Sequence, residues 1–388
     1  MLFQHTDEEL MIRETAERLA VDRLAPHADR LDRGEGREQM LANLRTLAEQ
    51  GFMGLNIAAE HGGSEAGAVA FALSIEAFGA ACAATTVTVS VTNMVAEVIQ
   101  SVGSDEQKRA YLPPLCDGTF PAGAFCLTES GAGSDPAGMA LSARMDGNEW
   151  VLNGSKIYIS SAEYAGLFVV WAVTDPDAPK GKGISCFLVE AGTPGMTIGK
   201  PERKMGQTGS ATSSVTFEDC RIPADALLGA ENDGYRIAVT ELTGGRIGVS
   251  GLALGIARAA MDAAEAYVSE RRQFDRRIAD MQGIQWMIAD RETELEAARL
   301  LMLKAAHLKD QGADFRKAAS MAKLYSSEAA QRATYTAIQL FGGAGYLADY
   351  HVERLARDAR ITTIYEGTSE IQRMIIAREV LKDFAGQA

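Results

Sequence analysis

Glu366 has the surroundings of a base. It sits in Tyr365-Glu366-Gly367, within the stretch ARITTIYEGTSEIQRMIIAREVL at 359–381, just before a new helical run opens at Ser369. Ile361, Ile364 and Tyr365 place apolar bulk around it. Such a setting desolvates the charged carboxylate, raises its pKa toward neutrality and suits it to removing a proton. Glu370 and Glu379 in the same stretch fit an exposed helix face. The residues alone leave a second reading open, since a loop glutamate is also ordinary surface charge.

Four further stretches could handle a ligand. FCLTESGAGSDPAG at 125–138 is too irregular for a dinucleotide-binding glycine fingerprint, because Gly131-x-Gly133 is followed by Asp135-Pro136. It reads either as a surface turn or as a small-residue loop whose N–H groups approach a planar ring or a phosphate. QLFGGAGYLADY at 339–350 reads as a helix C-cap, or as a glycine cluster allowing close backbone approach to a ligand. Arg271, Arg272, Arg276 and Arg277 form either a solvated face or a fork for a pyrophosphate. In LTGGRIG at 242–248, two glycines sit inside a helical run, each costing about 1 kcal/mol of helix stability. They mark either a helix–helix contact or a bulky neighbour that needs the space.

The elements that must position these stretches follow from hydrophobic periodicity. From Asp7 to about Leu115 the period is helical, and Thr6 to Glu9 reads as a capping box. Breaks are expected at EHGGSEAG and YLPPLCDGTFPAG. From about Phe120 to Leu228 the runs are strand-sized: EWVLNGSKIYISSA, with a hairpin turn expected at Asn153-Gly154, then LFVVWAVT, ISCFLVE and SSVTFEDCRIP. After Gly234 long Ala/Leu-rich helical runs return, enough for a bundle. The expectation is an α+β chain: an N-terminal α-helical domain (1–120), a central β-barrel-like domain (121–230) and a C-terminal four-helix bundle (231–388).

Bulk properties narrow the function. The 388 residues are 47% hydrophobic and 23% charged, with a formal net charge of −14. No basic excess suits a nucleic acid. No stretch approaches eighteen uninterrupted apolar residues, so no membrane span is expected. The five cysteines are scattered without metal-ligand spacing, and the N-terminus has no apolar signal core, so a cytoplasmic protein without a metal is expected.

Taken together, CLTESGAGSD and QLFGGAGY…RDARITTIYEGTSEIQR resemble the two signature regions of the acyl-CoA dehydrogenase family, from the first helix to Leu381. Ser130 departs from the family's usual proline, and Tyr158 from its common tryptophan or phenylalanine. The resemblance implies FAD, held non-covalently between the β domain and the C-terminal bundle. Phe125, Leu127, Thr128, Gly133 and Ser134 fall on its flavin and pyrophosphate loop; Tyr158, Ile159 and Ser160 fall on its flavin-side strand. Arg271, Gln273, Phe274, Gln282, Gln339, Gly342 and Gly343 match positions that reach the ADP part of FAD across a subunit interface. Thr368 and Glu370 match adenine-side contacts. A homotetramer, a dimer of dimers, is implied.

Glu366 matches the family's catalytic base, which takes the α-proton of an acyl-CoA while the β-hydride passes to flavin N5, giving a trans-2-enoyl-CoA. The backbone N–H of that glutamate and a ribityl hydroxyl of FAD stabilise the thioester oxygen in the family. Branches that carry the base on the preceding long helix are matched by Gly245 here, with Glu241 one turn earlier as the rival carboxylate. Ser134, Ser210, Thr243, Arg246, Gly367 and Arg378 match substrate-side contacts. TTVTVSVTNM, GTPGMTIGKPERKMG and ELTGGRIG look most like short- and branched-chain, isobutyryl-CoA-like members. An electron-transferring flavoprotein is the implied acceptor. An oxidase or monooxygenase, a nucleic-acid-associated flavoprotein and a non-catalytic binding module are the competing readings.

Overall fold

The computed structural model describes residues 5–385; the first four and last three residues, included in the outer limits above, lie outside the described residues. The N-terminal part is helical: α1 Asp7–Leu19, α2 Ala28–Asp32, α3 Arg37–Glu49, α4 Gly67–Ala81, α5 Ala83–Val102 and α6 Asp105–Cys116. Thr6 opens α1 with the expected capping box, its hydroxyl accepting from the Glu9 N–H while the Glu9 carboxylate accepts from the Thr6 N–H. The break expected within YLPPLCDGTFPAG falls after Cys116, with Pro113 and Pro114 still inside α6.

Eight strands form the middle layer: β1 Ala122–Cys126, β2 Ser142–Asp146, β3 Glu149–Ser160, β4 Ala165–Val173, β5 Ile184–Glu190, β6 Met196–Ile198, β7 Thr212–Pro223 and β8 Leu227–Leu228. They pair in the order β6-β7-β3-β2-β4-β5-β8, with β1 parallel to β4. The hairpin expected at Asn153-Gly154 is absent. β3 runs through both residues, and the tight turn lies instead between Asp146 and Glu149. Gly154 sits at φ +138 beside a break in the β3–β7 register, because a Cβ there would lie 2.9 Å from the Leu141 Cα. Asn153 spends its amide across the sheet on Asp219, donating to its carboxylate at 3.1 Å and accepting its N–H at 2.8 Å. The Asn-Gly pair thus marks a bulge rather than a reversal.

The C-terminal part holds α7 Gly234–Glu270, a small hairpin of β9 Arg272–Gln273 and β10 Arg276–Arg277, then α8 Gln282–Asp310, α9 Arg316–Phe341, α10 Val352–Arg360 and α11 Ser369–Ala385. α7 is long and apolar enough by composition to cross a membrane, yet 78% of its apolar window is buried inside the protein. Its small residues explain the close packing. Cβ atoms added at Gly251 and Gly255 would run into the backbone of α4.

Candidate active site

A cleft of about 670 Å³ opens where the sheet, α5, α7 and α11 meet. Phe125, Leu127, Thr128, Gly133, Ser134, Tyr158 and Ser160 line its sheet wall, and Arg246, Glu366, Gly367 and Arg378 its helical wall. The structure therefore brings together residues more than 200 positions apart.

The sheet wall is held in an unusual backbone shape. Tyr158 has φ +57 and Ser161 φ +64, and the β3–β7 register shifts between Lys156 and Ile159. This kink leaves the Tyr158 ring 66% exposed on the cleft, while Ile159 turns into the sheet core. Behind the wall, Lys156 is fully buried and donates to Glu129 Oε1 at 2.8 Å and to the Leu127 carbonyl at 3.1 Å. The Glu129 carboxylate also accepts the N–H groups of Ala140 and Leu141. Burial alone would raise its pKa, but Lys156 and these two donors hold it below the usual carboxylate range. Together with the Ile157 N–H donating to the Thr128 carbonyl at 2.9 Å, this clasp fixes the loop 127–134 against β3.

On the opposite wall Glu366 occupies φ +53 and Gly367 φ +90. Desolvation pushes the Glu366 carboxyl up to about 7, against the pull of Lys323 and Arg246. Its buried Oε2 has no hydrogen-bond partner among the described residues. The Glu366 N–H likewise has no acceptor among the described residues. Burial lowers Arg246 to about 10; its Nη1 donates to Ser320 Oγ at 3.2 Å. The second glycine of LTGGRIG now has a reason. A Cβ at Gly245 would overlap Glu366 Oε2 and lie 2.7 Å from Met94 Sδ, so the bulky neighbour is the carboxylate itself. Glu241 is buried one turn earlier but does not line the cleft, and desolvation and Glu97 hold its pKa well above the ordinary value.

These shifts have a consequence for stability. Between its ordinary value of 4.5 and about 7, Glu366 keeps a proton in the fold that the unfolded chain has released. Its contribution therefore falls as pH rises through that window and is most unfavourable above it. Glu366→Gln should raise stability by about 2 kcal/mol near pH 8 and by little near pH 4, the figure reduced because the carboxylate faces an open cleft. Thermal midpoints across that pH range check it. A variant less stable than wild type at pH 8 contradicts this account.

Other expected residues lie elsewhere. Arg271, Gln273 and Phe274 sit on the exposed β9–β10 hairpin and Gln282 at the start of α8. Gly342 and Gly343 are exposed after α9, with nothing within 4 Å of an added Cβ, and Gln339 precedes them in the last turn of α9. None of these lines the cleft within one chain. Arg277 pairs with Asp280 at 2.9 Å, so part of the arginine cluster is solvated ion pair. Thr368 caps α11, accepting the Ile371 N–H at 3.3 Å, and Glu370 is exposed beside it. Ser210 and Thr243 are buried; the Thr243 hydroxyl donates to the Val239 carbonyl at 3.0 Å.

Sequence reasoning missed the cleft floor. Val87, Val91 and Met94 project from α5 at spacings of four and three, one helix face. That periodicity was a usable signal. Lys323, which donates to the Gly367 carbonyl at 2.7 Å, had none.

Comparison with known proteins places nearly the whole chain among characterised relatives. Family models for the acyl-CoA dehydrogenase N-terminal, middle and C-terminal domains match residues 6–119, 124–220 and 232–381. The chain is 46% identical to acryloyl-CoA reductase (NADH) of Anaerotignum propionicum, over 98% of this chain and 96% of that protein. It is 42% identical to the mitochondrial short/branched chain specific acyl-CoA dehydrogenase of Rattus norvegicus, over 97% and 86%. Among solved structures, butyryl-CoA dehydrogenase from Megasphaera elsdenii superposes with TM-score 0.94 at 38% identity, covering 98% of this chain and 100% of that one. A chain from work on the electron transferring flavoprotein of Acidaminococcus fermentans gives 0.96 at 40%, with coverage of 98% and 100%. The FAD complex of PigA gives 0.92 at 31%, with coverage of 98% and 99%. With all three parts matched in order along nearly the whole length, this chain belongs to the acyl-CoA dehydrogenase family.

Proposed function

We propose that the protein dehydrogenates a short or branched-chain acyl-CoA to the trans-2-enoyl-CoA, with Glu366 as the base and FAD as the hydride acceptor. The observation that carries this reading is the placement of Glu366. One carboxylate oxygen is unpartnered at the cleft, across from a wall of Tyr158, Thr128, Ser134 and Ser160. A pKa of about 7 leaves much of it ionised at neutral pH while keeping it a stronger base than an exposed glutamate.

The sheet wall fits a flavin. It offers an exposed aromatic ring, hydroxyls and a loop in which Cβ atoms at Gly131 and Gly133 would meet nothing within 4 Å. Phe125, Leu127, Thr128, Ser134, Tyr158 and Ser160 would hold its ring, and bound FAD would supply the hydride acceptor. The chain supplies the rest. Glu366 takes the α-proton, its free N–H is a donor for the thioester oxygen, and the apolar floor excludes water from the acyl group. Arg246 and Arg378 add positive charge for an anionic CoA.

The floor of Val87, Val91, Met94 and Leu242 supports a short acyl chain, as do the names of the relatives. Gln339, Gly342, Gly343, Arg271, Gln273, Phe274 and Gln282 would serve a partner subunit's FAD in a homotetramer. Phe274 and Tyr346, 85% and 87% exposed, support an association surface there. An electron-transferring flavoprotein would reoxidise the flavin, and five free, buried cysteines support a reducing cytoplasmic setting. The irregular links at 117–121 and 229–233 support units 1–120, 121–230 and 231–388.

The test is an anaerobic titration of the FAD-loaded protein with butyryl-, isobutyryl-, 2-methylbutyryl- and octanoyl-CoA. Rapid bleaching of the flavin band by the first three, and at least tenfold slower bleaching by the last, is expected. No bleaching by any of them overturns the reading, and rapid peroxide formation in air favours an oxidase instead.

A further inference from the structure

The bend that carries Glu366 is strained, and the structure shows what holds it. Two consecutive residues, Glu366 and Gly367, lie in the left-handed region at φ +53 and +90. For glutamate that conformation costs about 1–3 kcal/mol and persists only where neighbours over-determine it. Here the neighbours are two side chains with no exposed surface, Lys323 on α9 and Gln372 on α11. Lys323 Nζ donates to the Gly367 carbonyl at 2.7 Å. Gln372 Nε2 donates to the same carbonyl at 3.0 Å and to the Glu366 carbonyl at 3.2 Å. Both carbonyls of the bend are thus tied, from two different helices. A Cβ at Gly367 would lie 2.7 Å from Gln372 Nε2, so the amide leaves room for nothing larger.

Lys323 is also a buried cation with no carboxylate within ion-pair distance among the described residues. An unpaired buried ammonium is costly, and a position that retains one is using its charge or its donor. The groups around it decide which carboxylate benefits. Glu366 is its largest attractive neighbour, Arg246 of α7 repels it, and Glu370 of α11 and Glu328 of α9 attract it more weakly. Glu366 itself is faced by Lys323 and Arg246. Glu241 of α7 feels Glu366 only after the stronger repulsion of Glu97 and the attraction of Lys309.

We infer that Lys323 and Gln372 are positioning residues for Glu366. Gln372 fixes the left-handed bend through its carbonyls, and Lys323 both fixes the bend and supplies a buried positive charge that keeps the carboxylate ionised. This rests on Glu366 being the base. The arrangement explains how a carboxylate set among apolar groups stays available at neutral pH. Burial pushes Lys323 down to about 8, so its own deprotonation removes the charge and turns a charge-assisted bond to the Gly367 carbonyl into a weaker neutral one on the alkaline side.

The two roles separate by mutation. In Lys323→Met holoenzyme the acid limb of the flavin-reduction rate should move up by at least one pH unit, and the alkaline limb due to Lys323 should vanish. In Gln372→Leu the rate should fall at least tenfold with the acid limb in place, because geometry changes and charge does not. Lys323→Arg, which keeps the charge, should hold the acid limb near wild type. A readout independent of turnover is infrared titration of the protonated carboxyl band, assigned by its absence in Glu366→Gln. That band should titrate at higher pH in Lys323→Met. An unmoved band in a folded Lys323→Met protein overturns the inference, whatever the substrate. Failure of wild type to be reduced by any acyl-CoA, with the band shifting as stated, sinks the dehydrogenase reading and leaves the pairing standing.

Discussion

Glu366→Gln should slow flavin reduction by butyryl-CoA about 10²- to 10⁴-fold, the range a positioned general base supplies. The amide keeps the size of the carboxylate but has no lone pair basic enough to take a proton from carbon. Substrate binding should change little, since Arg246, Gly367 and Arg378 remain on the same wall. The loss should therefore appear in the reduction rate at saturating substrate, followed anaerobically by stopped flow, with FAD content equal to wild type. Charge loss should also stabilise the chain above pH 7, so slower chemistry in a more stable protein is the expected signature. A rate within threefold of wild type would falsify the assignment and move attention to Glu241.

The second large effect is expected from one methyl group. In Gly245→Ala the new Cβ would occupy space held by Glu366 Oε2 and lie 2.7 Å from Met94 Sδ. The carboxylate must shift by about 1 Å, a displacement that costs roughly 10²-fold where proton and hydride leave adjacent carbons. Helix propensity runs the other way, since alanine favours α7 by about 1 kcal/mol. Gly244→Ala is the internal control. Its Cβ would meet only the tip of Lys309, at 3.3 Å, which can move aside. Reduction rates and thermal midpoints of the two variants decide the matter. If both lose activity equally, helix rigidity and not the position of the carboxylate is responsible.

The order helix, sheet, helix was legible because hydrophobic period changes from 3.6 to 2 and back, a property of local sequence. Asn153-Gly154 misled for a related reason. Asn-Gly permits a reversal but does not require one, and only the partner strand shows that Asn153 is engaged by Asp219 and Gly154 by Leu141. Glu366 stood out because its apolar neighbours are adjacent in sequence. Gly245 did too, though what fills its space comes from 121 residues away on another element. Lys323 was invisible, since a lysine inside a helical run looks solvated until the bend it touches is placed. Arg271, Gln282 and Gln339 do not converge on the cleft of a single chain, and no local pattern states whose cofactor such residues serve.

The cysteines give the chain a built-in record of its own opening. Cys82, Cys116, Cys126, Cys186 and Cys220 are all reduced and buried, and burial raises the pKa of each. In the folded state a thiol reagent therefore finds neither access nor thiolate. Labelling can proceed only through exposure events, and its rate at each site reports how often that neighbourhood opens. Cys82 and Cys116 report the N-terminal helices and the other three the sheet, whereas α7 to α11 carry no thiol at all. A single cysteine placed on the β9–β10 hairpin would then be the one rapidly reactive group, ready to carry a probe of self-association.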